Sequence, residues 1–330
     1  MALPILIVLF NVWGVTNEAW LHLSQNLLGQ YVSNTLIVVT GVAVLTLVIG
    51  VSTAWWIATT QFPFRRALEW LLILPLAIPT FINGITYSGI TDYTSPIRVF
   101  LRNQGYGDLP LDILNIGGVI FVMALVLYPY VYLTSKAVFS FQSASRIEAA
   151  RLLGTSNFRI LFKVALPSAW PGIFAGLLLV IMEVLNDYGT VHYYGVSTFT
   201  TGIFKAWLSL GDLPTAVLLS LFLIVFVLLL LFLENKSRKR KQFVTQGKLT
   251  ARKQLIGAKK WLVFGICFIP FLFGFLIPVL QMSYCLYLAN DRIRWADLMA
   301  GVSGTLQVAF VASMVILVLA WFFNYLQRRQ

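Results

Sequence analysis

Residues 33–60 contain no charged side chain, and the run ends just ahead of the pair Arg65 and Arg66. About 20 apolar helical residues are enough to cross the hydrocarbon of a bilayer. In that medium each backbone N–H and C=O must be satisfied inside its own segment, which selects a helix. Comparable runs follow at 68–90, 116–133, 168–184, 216–233, 261–284 and 302–325. With 59% of its 330 residues hydrophobic and 11% charged, the chain cannot be a soluble globule with a normal surface. It is expected to be all-α, a polytopic membrane protein. Residues 2–13 are apolar but short for a span, and they lack the basic n-region and small-residue cleavage site of a signal peptide.

The net charge of +12 takes its meaning from where the charges lie. Of the 24 Lys and Arg, 19 fall on one set of connections: Arg65 and Arg66, Lys136 through Lys163, ten between 236 and 260, and Arg328 with Arg329. Only Arg98, Arg102, Lys205, Arg292 and Arg294 fall on the other set. That is the positive-inside pattern, so the basic excess does not point to nucleic acid, and the connection at 139–167 is expected in the cytoplasm. Pro75 and Pro79 are expected to kink the 68–90 span, and 91–115, rich in Asp, Pro and Gly, reads as an external loop. Gly172-x-x-x-Gly176 lets another helix approach the 168–184 span closely, and Asn186-Asp187-Tyr188-Gly189 breaks it. Tyr128, Tyr130 and Tyr132 surround Pro129 and read as interfacial anchors.

The stretch 139–167 is the longest polar interruption that still looks folded. Ser145 and Glu148 stand in capping-box spacing, residues 147–153 favour helix, and Gly154 supplies its stop. Thr155, Ser156 and Asn157 are cap candidates for a second helix that is expected to end at Pro167. On the residues alone, Glu148 and Gly154 are accounted for as a cap and a turn. The order Glu148-Ala149-Ala150, Gly154, then Leu166-Pro167 with fixed gaps also resembles the EAA loop of ABC importer permeases.

Three further stretches narrow the resemblance: 74–90, 182–207, and the second module that starts after the basic run. They are similar to the permeases of ferric-iron ABC importers, which carry two modules in one chain. The resemblance implies a type I (MetI-like) helical bundle in the cell inner membrane. It implies a coupling loop, Ser145, Glu148, Ala149, Ala150, Gly154, Leu166 and Pro167, gripped by a cytoplasmic ABC ATPase dimer, and a periplasmic iron-binding protein at the outer mouth. No Walker A pattern occurs in the chain, so ATP and Mg are expected on the partner ATPase, with no cofactor here and no enzymatic role for this chain.

Glu183 and Asp187 share a helix face while the helix lasts. With Asn186 and Tyr188 they are candidates for the substrate path, since hard Fe(III) favours carboxylate and phenolate oxygen. The other reading puts both acids at the outer membrane boundary, where Asp187 only stops the helix. His22 and His192 lack metal-ligand spacing, and no metal site is fixed. Three alternatives stay open for function: another cargo in the same class (thiamine, polyamine, sulfate or molybdate), a secondary transporter driven by an ion gradient, in which the acid pair relays protons, or a non-transporting remnant.

After the basic run the chain restarts. Ile277-Pro278-Val279-Leu280 echoes Leu3-Pro4-Ile5-Leu6, and Ser303-Gly304-Thr305-Leu306 echoes Ser33-Asn34-Thr35-Leu36. This divides the chain into a first module at 1–235 of about six spans, a basic cytoplasmic linker at 236–260, and the beginning of a second module at 261–330. The second copy stops before a coupling loop, which suggests an incomplete polypeptide whose missing half comes from elsewhere; the alternative is that residues 2–13 form an interfacial helix and the protein is complete as it stands.

Overall fold

The computed structural model describes residues 18–106, 112–141, 154–155, 157–239, 252–290 and 294–327. By packing, the chain divides into two units, Met1–Val279 and Leu280–Gln330. Five helices among the described residues are long and apolar enough to cross a membrane, and a sixth span results if one bent pair is counted as one.

In the first unit, α1 (Glu18–Asn26) leads into α2 (Leu28–Thr59), which ends at a two-residue strand β1 (Thr60–Gln61). Next come α3 (Arg65–Leu71), a 3-10 turn at Leu74–Ala77, and α4 (Thr80–Thr91). The sequence predicted one kinked span over 68–90; the structure breaks it, with a bend of 92° between its two halves. Ile78 and Pro79 are both extended. A proline disfavours helical geometry in the residue before it and offers no N–H of its own, so Pro79 ends one helix and opens the next.

The segment at 91–115 also differs from its reading as a loop: it holds α5 (Pro96–Asn103), where Ser95 accepts a hydrogen bond from the Arg98 N–H at 3.2 Å and Pro96 takes the first turn. That Ser-Pro start is a helix signal the composition of the segment masked.

α6 (Ile116–Phe141) forms the centre of the unit and stays helical through Pro129. Tyr128 and Tyr132 are fully buried on it with Val122 and Met123. They are core residues rather than the interfacial anchors expected, because α6 is packed on several sides. α7 (Asn157–Ile160) runs through a π turn at Leu161–Ala165 into α8 (Leu166–Asn186). The helix expected to end at Pro167 therefore continues. Pro167 lies in the first turn of α8, and the wide π turn, closed by the Leu166 N–H on the Leu161 carbonyl, relieves the clash a proline makes with the preceding turn.

The Gly172 and Gly176 spacing brings α8 onto α6: a β-carbon at Gly176 would lie 2.9 Å from the Tyr130 carbonyl oxygen. α2 closes on α6 in the same way, since a β-carbon at Gly50 would lie 2.8 Å from Cβ of Val131. Two short helices, α9 (Gly189–Tyr193) and α10 (Phe199–Phe204), precede α11 (Leu213–Lys239).

Beyond the basic run, β2 (Lys253–Gln254) pairs in parallel with β1, and the Leu255 N–H donates to the Gln61 carbonyl at 3.1 Å. α12 (Lys259–Phe271) then passes through a second π turn into α13 (Ile277–Ala289). The division between the two units falls inside α13. The second unit is dominated by α14 (Trp295–Gln327), opened by an Arg294–Asp297 ion pair at 2.9 Å. α14 buries none of its apolar span, and a helix apolar all round needs lipid or protein on every side.

Candidate functional site

Of the stretch singled out in the sequence, Ser145, Glu148, Ala149 and Ala150 lie outside the described residues. The structure shows how its two ends are held. On the way in, Phe139 is fully buried and packs edge-on against Trp55 at 5.5 Å. On the way out, Ile160 and Ala165 are fully buried. Gly154 has φ of +73°, the left-handed conformation of a glycine that stops a helix, and its missing side chain faces open space. Leu166 and Pro167 begin α8, so from Asn157 to Asn186 the backbone is helical without a break.

A charged junction that sequence reading missed lies near the end of α6. Arg65 donates to Glu69 at 3.0 Å and to the Ile57 carbonyl at 3.1 Å, and Lys136 meets the other Glu69 oxygen at 2.7 Å. The Tyr132 hydroxyl donates to the Glu69 backbone carbonyl at 3.0 Å. Glu69 thus ties the first connection to α6 about a turn before α6 ends at Phe141. Arg252, just before β2, is pushed below the usual arginine range by burial and then by Arg65, while Glu69 opposes the shift. Arg65 and Glu69 stand at i and i+4, the spacing of a helical ion pair, which is the one signal in the sequence.

At the far end of α8, Glu183 and Asn186 are exposed, and Asp187 stops the helix with its N–H on the Glu183 carbonyl at 3.0 Å. The Asp187 carboxylate accepts from the Thr190 N–H at 2.7 Å and the Thr190 hydroxyl at 2.8 Å, capping α9, and also from the Thr80 hydroxyl. Thr80 opens α4 directly after the break. Tyr188 stacks on His192 with ring centroids 4.9 Å apart and packs on Phe204 at 4.2 Å. The two acids do not converge: Asp187 is bound into the α4–α8–α9 junction while Glu183 is exposed. Among the described residues no group of three or more His, Cys, Asp or Glu is placed to hold a metal.

A bundle of long apolar helices with one broken span is the architecture of a polytopic membrane protein. Residues 46–242 match the model of the binding-protein-dependent transport system inner membrane component family, and the chain belongs to that family. It is similar to the Fe(3+)-transport system permease protein FbpB 2 of Haemophilus influenzae, 26% identical over 297 residues, which cover 88% of this chain and 55% of that one. The chain therefore spans about half the length of that relative.

It is also similar to the spermidine/putrescine transport system permease protein PotB of Haemophilus influenzae, 26% identical over 70% of this chain and 82% of the relative. The sulfate transport system permease protein CysT of Escherichia coli is 28% identical over 58% of this chain and 70% of the relative. Among solved structures, a bacterial ABC transporter that imports alginate has a chain with a TM-score of 0.58 at 15% identity, covering 73% of this chain and 90% of that one. This likeness establishes the fold, that of an ABC importer permease.

Proposed function

We propose that the chain is the membrane subunit of an ATP-driven importer that passes ferric iron from a periplasmic binding protein into the cytoplasm. In this reading residues 1–235 form one permease module, 236–260 lie in the cytoplasm, and 261–330 open a second module. The observation that carries the iron cargo is the extent of the similarity. The match to the iron permease covers 88% of the chain and so reaches past the basic run, whereas the polyamine and sulfate relatives match 70% and 58%.

The coupling stretch would sit in a groove of a separate ATPase, which binds ATP and Mg. Its two ends are buried and lead into α6 and into the unbroken helix from Asn157 to Asn186. A displacement at the inner end is carried along about 45 Å of helix at 1.5 Å per residue. It arrives at Asp187, whose carboxylate holds Thr80 at the start of α4. The broken span is thereby linked to the motor, and the outer junction moves with the lever.

Whole-cell uptake of radiolabelled Fe(III), spermidine and sulfate tests the reading. Deleting the chain is expected to abolish iron uptake alone, and that uptake should fail on ATP depletion and survive an uncoupler. Unchanged iron uptake in the deletion strain overturns the cargo. Loss with the uncoupler alone overturns the ATP-driven class. Glu148→Lys and Gly154→Asp should each abolish uptake while the chain still inserts in the membrane.

A further inference from the structure

α2 and the start of the α7–α8 helix enclose a groove of about 510 Å³ on the flank of the first unit. That volume lies in the range of about 300–1,000 Å³ that small ligands fill. Its walls include Val48, Ser52 and Trp56 of α2 and Phe162, Leu166 and Trp170 opposite. The single hydroxyl among them, on Ser52, is already donated to the Ile49 carbonyl, so the slot presents hydrocarbon only.

The groove lies at the end of α2 that meets Arg65 and Arg66. Trp55, Trp56 and Trp170 all line it, and tryptophan concentrates where the acyl region meets the headgroups. Arg159 and Lys163 stand at the same level, one on each side in sequence of the wall residues Leu161 and Phe162. Both are exposed, and neither forms an ion pair among the described residues. A slot of hydrocarbon whose wall helix also carries two cations with no ion pair among the described residues is complementary to an apolar chain that ends in a negative headgroup. An apolar helix from another protein would fill the slot and leave both cations without a counter-charge.

We propose that this groove is a binding site for an anionic phospholipid, with one acyl chain between α2 and α8 and the headgroup phosphate against Arg159 and Lys163. The assignment rests on the chain's place in a membrane and not on its cargo. Basic side chains at a membrane surface attract anionic lipid strongly enough to change retention about fivefold for each charge. Because the lipid would lie along the π turn and the first turns of α8, it would brace the lever where it leaves the coupling stretch.

The test reconstitutes the full chain in nanodiscs of equal parts phosphatidylglycerol and phosphatidylcholine, then counts retained lipids by native mass spectrometry. Phosphatidylglycerol is expected to be retained preferentially. Arg159→Gln with Lys163→Gln should erase the preference, Arg159→Lys with Lys163→Arg should keep it, and Ser52→Phe, which fills the slot, should lose the retained lipid. Equal retention of the two lipids by the unaltered chain overturns the proposal, as does an unchanged preference in the double glutamine variant or unchanged retention in Ser52→Phe. A photo-crosslinking side chain placed at Val48 should capture lipid, and capture of a polypeptide there would overturn the site as well.

Discussion

Glu69 carries one negative charge between two cations that differ in burial. The Arg65 side chain is 5% exposed and that of Lys136 24%. A buried guanidinium stripped of its partner loses more than a partly exposed ammonium does. Breaking a buried pair costs about 3–5 kcal/mol, and the partial exposure of Glu69 brings the expectation for Glu69→Gln down to about 1–3 kcal/mol. Lys136→Met should cost under about 1 kcal/mol, since Arg65 keeps Glu69 and the Ile57 carbonyl. Thermal unfolding of the full chain in detergent checks the order, and equal losses in the two variants contradict the junction.

Asp187→Ala removes a helix cap worth about 1 kcal/mol and releases the Thr80 hydroxyl, so it should slow uptake beyond its effect on stability, while Thr190→Ser, which keeps the hydroxyl, should not. In the sequence Asp187 was legible as a helix stop, and Arg65 and Lys136 as charges on connections between spans. Their partners were not, because Glu69 meets Lys136 and Thr80 meets Asp187 across long stretches of chain whose docking local spacing does not encode.

Helices α6 and α8 approach through glycine, so the effect of adding one methyl group there has a predictable sign. At Gly176 the new β-carbon meets the Tyr130 carbonyl oxygen at 2.9 Å, and a backbone atom inside a helix cannot swing aside. Gly176→Ala is expected to destabilise by about 1–3 kcal/mol, as overpacking does. Gly265 on α12 has no atom within 4 Å of the same position, so Gly265→Ala should stabilise by about 0.5–1 kcal/mol through the helical preference of alanine. Opposite shifts in the unfolding midpoint check this pair.

The spans themselves were legible because a lipid medium leaves the backbone one choice, and the glycine spacing announced a close contact. Two element-level features were hidden. Prolines spaced like Pro75 and Pro79 are compatible with a kink or a break, and local preference does not decide which. The helix at Pro96–Asn103 was hidden by the polar composition around it, although Ser95 and Pro96 marked its start.

For the molecule as a whole, the transport scheme proposed above makes these contacts a path from one side of the membrane to the other. The coupling stretch is entered from buried Phe139 and left through buried Ile160, and neither end can shift without moving a packed helix. A motor that grips residues 145–154 would therefore act on α6 and on the Asn157–Asn186 helix together, with the Glu69 junction holding the first connection to α6. The grip can be tested by contact. A cysteine at Ala149, with exposed Cys285 replaced by Ser and buried Cys267 retained, should be joined by a short bis-methanethiosulfonate, which loses one sulfinate per disulfide formed, to a cysteine of a chain that nucleotide photolabelling identifies as an ATPase.

The same cysteine should be modified by a membrane-impermeant thiol reagent only when the inner face is opened, in inverted vesicles and not in intact cells. Glu148→Lys in that background should weaken the crosslink, since reversing a charge at the docking surface sets like against like or strands the partner's own charge. If Ala149→Cys is modified from outside intact cells, the lever points the wrong way and the transport scheme fails with it. If it is modified from inside but never captures the ATPase, the bundle keeps its orientation and family and loses the motor, leaving a gradient-driven route as the reading to pursue.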